Sequence, residues 1–207
     1  MNTHMTEEEQ FWKGEFGTEY IDRNKGKNLL ASNLNFFSKA LNQVGVINNC
    51  VEFGANVGMN LRALQLLYPN IKLKGIEINE SAANELKCSI GEANVYLGSI
   101  LDWNPDKFFD LVLVKGVLIH INPEKLNVVY QKLYESSNRY ILICEYYNRT
   151  PITIPYRGHN NRLYKRDFSG EMLDLFTDLT LVDYGFSYHR DQGFPQDDVC
   201  WFLLKKI

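Results

Sequence analysis

The residues best placed to hold a ligand are Gly54 and Gly58, which bracket Ala55, Asn56 and Val57 directly after the apolar stretch Cys50-Val-Glu-Phe53. A strand that ends in a glycine turn and leads into a helix lets backbone N–H groups approach a bound molecule closely. Dinucleotide sites use G-x-G-x-x-G to seat a pyrophosphate on the helix N-terminus. Here the turn reads Gly54-Ala-Asn-Val-Gly58, with Glu52 two residues before it, which is a different spacing. Glu77 closes the next apolar stretch, 23 residues after Gly54, where a carboxylate can accept both hydroxyls of a ribose. Glu77 alone would suit NAD equally, so the glycine turn carries the distinction.

Positioning these groups requires a particular scaffold. Thr6 with Glu9 three residues later is a capping-box pattern that starts a short helix through Phe11 and Trp12. Leu30, Leu34, Phe37, Leu41 and Val44 recur at helical spacing and predict a helix over 28–44. From position 49 apolar stretches alternate with helical patterns. Strands are expected at 50–53, 71–78, 94–97, 110–114 and 140–144, with helices after the glycine turn, at 80–89 and from Asn122-Pro123 onward. Strands apolar on both faces and separated by helices imply a parallel sheet covered on both sides. After a short helix at 171–176, two strands follow in succession, 179–189 and 198–205, and read as a terminal antiparallel pair. One α/β domain is expected: a helical cover over 1–45, a cofactor-binding core over 46–150, and a substrate loop with terminal hairpin over 151–207.

Composition narrows the partners. Of the 207 residues 45% are hydrophobic and 23% charged, ordinary for a soluble globular protein, and no apolar run approaches the roughly 18–20 residues that span a bilayer. The acidic start does not read as a secretory signal. Cys50, Cys88, Cys144 and Cys200 are widely separated and form no CxxC pair, so neither a metal site nor a disulfide framework is expected. A cytoplasmic protein with reduced, mostly buried thiols fits best. The net charge of −3 argues against general nucleic-acid binding. Arg149, Arg157, Arg162, Lys165 and Arg166 nonetheless form a basic patch with His159 and no acidic residue among them.

The Glu52-x-Gly54-x-x-x-Gly58 pattern resembles motif I of class I S-adenosylmethionine-dependent methyltransferases. The resemblance implies a Rossmann-like, mostly parallel seven-stranded sheet with a C-terminal antiparallel hairpin. It also implies that Glu52, Gly54, Ala55, Asn56 and Gly58 cradle the amino-acid end of the methyl donor, with Glu77 and Ile78 at its ribose. Ser99 and Ile100 would touch adenine, and Lys115, Gly116 and Val117 would line the methyl-transfer pocket. Five longer stretches are similar to one narrower family, the methyltransferases associated with pseudaminic acid biosynthesis. They are Phe11-Trp-Lys-Gly-Glu-Phe-Gly17, Leu30-Ala-Ser-Asn33, Lys115-Gly-Val-Leu-Ile-His-Ile-Asn-Pro123, Ile154-Pro-Tyr-Arg-Gly-His159 and Phe194-Pro-Gln-Asp-Asp198. That resemblance implies a cytoplasmic enzyme of nonulosonic acid metabolism, which supplies acidic sugars for flagellin or surface glycans. The acceptor would be such a sugar or its nucleotide-linked precursor, methylated on oxygen or nitrogen.

Transfer from a sulfonium needs an aligned nucleophile, and an acceptor hydroxyl or protonated nitrogen also needs a base. His120, following the fourth strand, is the first candidate, against the alternative of a structural histidine beneath the loop. His189 is a second candidate, and Tyr146 a third catalytic candidate. Tyr147 and Asn148, also at the end of the fifth strand, are candidate acceptor contacts. Tyr156, Arg157, His159 and Arg162 read as a long polar binding loop whose arginines could grip a carboxylate or phosphate. Asp110 reads as structural, at the far edge of the sheet. Phe11, Trp12, Phe16 and Tyr20 could close over the cofactor as a lid, with core packing favoured for Phe11. The nucleic-acid alternative lacks the Asn/Asp-Pro-Pro-Tyr motif after the fourth strand, where this chain has Lys115-Gly-Val-Leu118. The remaining alternative is a non-catalytic S-adenosylmethionine-binding module that supports a glycan-biosynthesis partner.

Overall fold

A computed structural model describes residues 5–105 and 107–207. Five parallel strands, β1 (Asn49–Phe53), β2 (Lys72–Glu77), β3 (Val95–Leu97), β4 (Phe109–Lys115) and β5 (Ser137–Glu145), form most of one sheet. The sheet is completed by β9 (Cys200–Lys206), antiparallel to β5, and β8 (Leu179–Phe186), antiparallel to β9. The strand order is β3-β2-β1-β4-β5-β9-β8, the expected mostly parallel seven-stranded sheet with a C-terminal antiparallel pair. Strands run outward in both directions from β1, so the order reverses between β1 and β4, the place where open α/β sheets leave a crevice at their carboxyl ends.

Alternation within the strands explains the two covered faces. Leu111 and Leu113 of β4 pack with α3 (Lys27–Ala40), α4 (Met59–Leu67) and α5 (Glu80–Ile90) on one side. Val112 and Val114 point the other way, against α6 (Leu126–Ser136) and α7 (Phe168–Leu175). At the opposite edge from the crevice, Asp110 accepts from the backbone and side-chain nitrogens of Asn48 at 2.8 and 3.0 Å, which fits its structural reading.

Three expectations need adjustment. The helix read over 28–44 stops at Ala40, because Leu41 leaves helical geometry and the chain turns, while Val44 still packs on the core from outside the helix. The stretch read as a substrate loop is a β-hairpin, β6 (Ile152–Tyr156) and β7 (His159–Lys165). Tyr156 pairs with His159 across the two-residue turn Arg157-Gly158, both residues at positive φ, a geometry that matches strand twist. Pro155 falls at a register shift, where a missing N–H does least harm. The four cysteines are free, but Cys88 is exposed and Cys200 only half-buried.

The N-terminal cover is two short helices, α1 (Glu7–Lys13) and α2 (Glu15–Tyr20), laid across the crevice. The capping box at its start is formed: Glu9 accepts from the Thr6 N–H at 2.7 Å, and Thr6 accepts from the Glu9 N–H at 3.2 Å. Gly17 of α2 packs against α1, where an added Cβ would strike the Trp12 carbonyl oxygen.

Candidate cofactor and acceptor site

A cavity of about 270 Å³ lies at the carboxyl ends of β1, β2 and β4, beneath α1 and α2. Its floor is the glycine turn. The N–H groups of Gly54 and Ala55 both donate to the Ile76 carbonyl at 2.9 Å, tying the turn to β2. Gly54 has φ +74°, and a Cβ there would meet a Val117 methyl at 2.5 Å, so glycine is required for both conformation and space. Gly58 has φ +83° and starts α4, but it does not line the cavity: its missing Cβ makes room for Leu86. Ala55 and Asn56 do line it.

Glu77 is buried at the end of β2 with one face on the cavity. Its oxygens accept from the N–H groups of Asn56 at 2.7 Å and Asn79 at 2.8 Å, and burial pushes its carboxyl above the ordinary range. Each carboxylate oxygen retains a lone pair, so Glu77 can still accept a diol while holding the turn in place. Ile78, Ser99 and Ile100 continue the wall toward β3, and Lys115, Gly116 and Val117 continue it toward β4.

Glu52 does not reach the cavity. It is fully buried under the turn, where one oxygen accepts from Asn60 at 2.6 Å and the other has no partner. Burial, opposed by Asn60 and Lys115, pushes its carboxyl up to about 8. Asn60 itself lines the cavity, so Glu52 acts on the site through Asn60.

His120, in the turn after β4, lines the same cavity. It is buried at 7% exposure, and burial lowers its basicity to about 4. Its Nδ1 lies 2.6 Å from the Arg162 carbonyl oxygen on β7. Trp12 and Tyr156 flank the ring, with centroids at 4.7 and 4.8 Å. The turn that carries His120 is held from below by Glu145, whose oxygen accepts from Val117 and Leu118 N–H at 2.9 and 2.8 Å. Burial raises the Glu145 carboxyl to about 7, with these backbone bonds opposing.

The remaining candidates divide. Tyr146, Tyr156 and Arg157 line the cavity. Arg162 turns its guanidinium away, to Glu7 at 3.1 Å, and contributes its carbonyl instead. His159 packs edge-on against Phe11 and Phe16, clasping the helical cover without lining the cavity. Phe11 therefore belongs to this clasp and not to the core. Tyr147 is exposed beside Phe202, and Asn148 bonds the Thr150 carbonyl. His189 is exposed and paired with Asp198 at 2.9 Å, away from the cavity. None of these last three lines the cavity.

Asn33 and Asp197 both face the cavity. The sequence singled out their stretches, Leu30–Asn33 and Phe194–Asp198, the second as a connection that could complete the substrate pocket, but assigned neither residue a role of its own. Asp197 stands on the connection between β8 and β9, anchored where buried Gln196 donates to Asn33 at 2.8 Å. It acts electrostatically on Tyr20, which burial pushes up to about 12, and on Tyr146, also raised chiefly by burial. Within its stretch Asp197 stood in the polar run Gln196-Asp197-Asp198 of an aromatic loop. Trp12 and Tyr20 line the cavity, as a lid would require.

No family model matches the chain, and no curated protein matches its sequence. Solved structures do match. The sheet order and the terminal antiparallel pair are those of the Rossmann-like fold of several solved methyltransferases. The magnesium protoporphyrin IX methyltransferase of Synechocystis PCC 6803, with bound S-adenosylmethionine, superposes with TM-score 0.70 at 12% identity over 100% of both chains. The 1,6-didemethyltoxoflavin-N1-methyltransferase of Burkholderia thailandensis, with bound S-adenosylhomocysteine, gives 0.72 at 13% identity over 100% of this chain and 93% of that one. The plantazolicin methyltransferase BpumL, in complex with S-adenosylhomocysteine, gives 0.66 at 15% identity, covering 96% and 93%.

Proposed function

We propose that the protein is an S-adenosylmethionine-dependent methyltransferase that methylates an oxygen or nitrogen of a small acidic sugar, of the nonulosonic type, or of its nucleotide-linked precursor. The observation that carries the reading is Glu77. A buried carboxylate closes β2 beside, and bonded to, a glycine turn that admits no Cβ, in the same cavity as His120. The residues fit the donor. Glu77 can take the ribose diol, Gly54 and Gly116 leave room for the amino-acid end, and the apolar residues Ile100 and Leu101 suit a base. When bound, S-adenosylmethionine supplies an activated methyl group on a sulfonium.

The chain's own residues then hold the acceptor and manage its proton. A carbonyl oxygen only accepts, so His120 carries its proton on Nδ1 and presents the Nε2 lone pair as the base. Burial keeps it neutral at neutral pH, so the Nε2 lone pair is free, while the same burial makes it a weak base. Arg157, at the cavity mouth, offers a fork to a carboxylate or phosphate. Tyr146 and Asp197 offer hydrogen bonds to sugar hydroxyl or amino groups. Trp12 and Tyr156 exclude water above His120. A small acceptor, as opposed to a nucleic acid, is favoured by the cover of α1 and α2 and by the net charge of −3.

No described helix is long and apolar enough to cross a membrane, and a cytoplasmic setting fits the sugar chemistry proposed.

Calorimetric titration with S-adenosylmethionine, S-adenosylhomocysteine and NAD tests the cofactor. Micromolar binding of the first two, lost in Glu77→Ala, supports it, and a preference for NAD refutes it. Incubation with acidic sugars and their nucleotide-linked forms, read by mass gain of one methyl group, tests the acceptor. Cofactor binding without turnover on any of them would favour a non-catalytic module.

A further inference from the structure

Glu9 sits at the third position of α1, where a capping-box glutamate ordinarily spends one oxygen on the N-cap and leaves the other to water. Here Oε2 accepts from Thr6 N–H at 2.7 Å, while Oε1 accepts from the hydroxyl of Ser99, in the turn after β3. Ser99 is buried, and its Oγ also accepts from Leu101 N–H at 3.0 Å. Its one proton is therefore committed to Glu9. Glu8, the neighbouring acid, is engaged elsewhere, with Tyr164 at 3.0 Å and Asn122 at 3.4 Å.

Ile100 and Leu101 give this end of the cavity apolar walls, and the Glu9 carboxylate beside them, with one donor on each oxygen, retains a lone pair on each. An apolar slot with a carboxylate at its edge suits a flat ring that carries an N–H donor. The strand order β3-β2-β1-β4 puts this slot on the far side of Glu77 from the glycine turn and Gly116. A nucleoside with its diol on Glu77 and its chain toward Gly54 must lay its base there.

We propose that Glu9 is a specificity-determining residue that accepts a hydrogen bond from the exocyclic amino group of adenine, so that the helical cover itself reads the base. The inference rests on the S-adenosylmethionine reading of this cavity. It makes the ligand a structural link between α1 and the sheet. It also predicts discrimination, because hypoxanthine presents a carbonyl oxygen where adenine presents an amino group, and a carbonyl facing a carboxylate is repelled.

The test is calorimetry on the full chain with S-adenosylhomocysteine and S-inosylhomocysteine. The wild type should bind the inosyl compound at least about tenfold more weakly, as expected for a hydrogen bond to a charged group. Glu9→Gln preserves the capping box by keeping its oxygen on Thr6 N–H, which turns its amide N–H, a donor, toward the base. It should weaken S-adenosylhomocysteine and narrow the gap between the ligands by about tenfold. A merely loosened α1 would weaken both ligands alike and leave their ratio unchanged. Equal binding of the two by the wild type, or an unchanged ratio in Glu9→Gln, overturns the inference while leaving the cofactor reading standing. Failure of the wild type to bind S-adenosylhomocysteine overturns both.

Discussion

His120 donates its Nδ1 proton to the main-chain carbonyl of Arg162, 2.6 Å away on the β6–β7 hairpin. One hydrogen bond thus sets the tautomer of the imidazole, aims its Nε2 lone pair, and ties the loop after β4 to the hairpin that carries Arg157. Replacing His120 with glutamine keeps a donor for that carbonyl and removes the base. Turnover should fall by about 10²-fold or more, with affinity for S-adenosylmethionine changed little. Single-turnover kinetics beside cofactor titration separates the two effects, and an unaltered rate would return His120 to a structural role.

The same burial makes stability depend on pH from both sides. Burial lowers His120 from 6.5 to about 4, so between those values the unfolded chain binds a proton that the folded chain refuses. Stability therefore falls as pH drops through that window. Glu52 is displaced the opposite way, from 4.5 to about 8, so the folded chain keeps a proton that the unfolded chain has lost. Stability falls as pH rises through that second window. The windows overlap between 4.5 and 6.5, where the two slopes oppose. In urea midpoints measured from pH 4 to 9, Glu52→Gln should lessen the decline up to about pH 8, and His120→Gln should deepen the decline with rising pH between 4.5 and 6.5. A Glu52→Gln profile parallel to wild type would mean that Glu52 is ionised in the fold.

Gly54→Ala should cost on the order of 1–3 kcal/mol, from the positive φ and from overpacking against Val117. Adding Val117→Ala removes the methyl contact but not the backbone strain. The double variant should therefore recover only part of the loss, and stability and cofactor affinity should recover together if the turn is the binding floor. Full recovery would show that φ +74° is not strained at this position.

Arg157 and His189 offer a contrast within the basic and aromatic loops. Arg157→Ala should raise the acceptor KM by about tenfold with a smaller change in kcat, because the fork contributes a charge-assisted bond. His189→Ala should leave both within about twofold, since its imidazole is exposed and engaged by Asp198. Loss of turnover in His189→Ala would mean that the β8–β9 connection closes onto the acceptor.

The strands and helices of the core were legible because each depended on a local pattern: apolar runs of strand length, helical spacing, a capping box at Thr6 and Glu9, and caps at Asn79 and Asn122. Glu77, Ser99, Gly116 and Val117 were legible for the same reason, since each lies within a residue or two of a strand's carboxyl end and all such ends face one crevice. The hairpin at β6 and β7 was not. Its partners lie close along the chain, but its polar, proline-containing sequence suits a loop equally well and lacks the apolar alternation that marks a strand.

By itself, then, the sequence determined the sheet, the glycine turn and the carboxylate at its edge, because backbone propensity and alternation act between near neighbours. Only the tertiary structure decided which side of an element each polar group would serve. Glu52 and Gly58 fell beneath the turn, His159 and Arg162 went to clasp the cover, and His189 went to solvent. Asp197, Asn33 and Glu9 came to the cavity from distant segments. The physical reason is that hydrogen-bond partners and burial are set by what packs opposite. For Glu9 that is Ser99, 90 residues away along the chain.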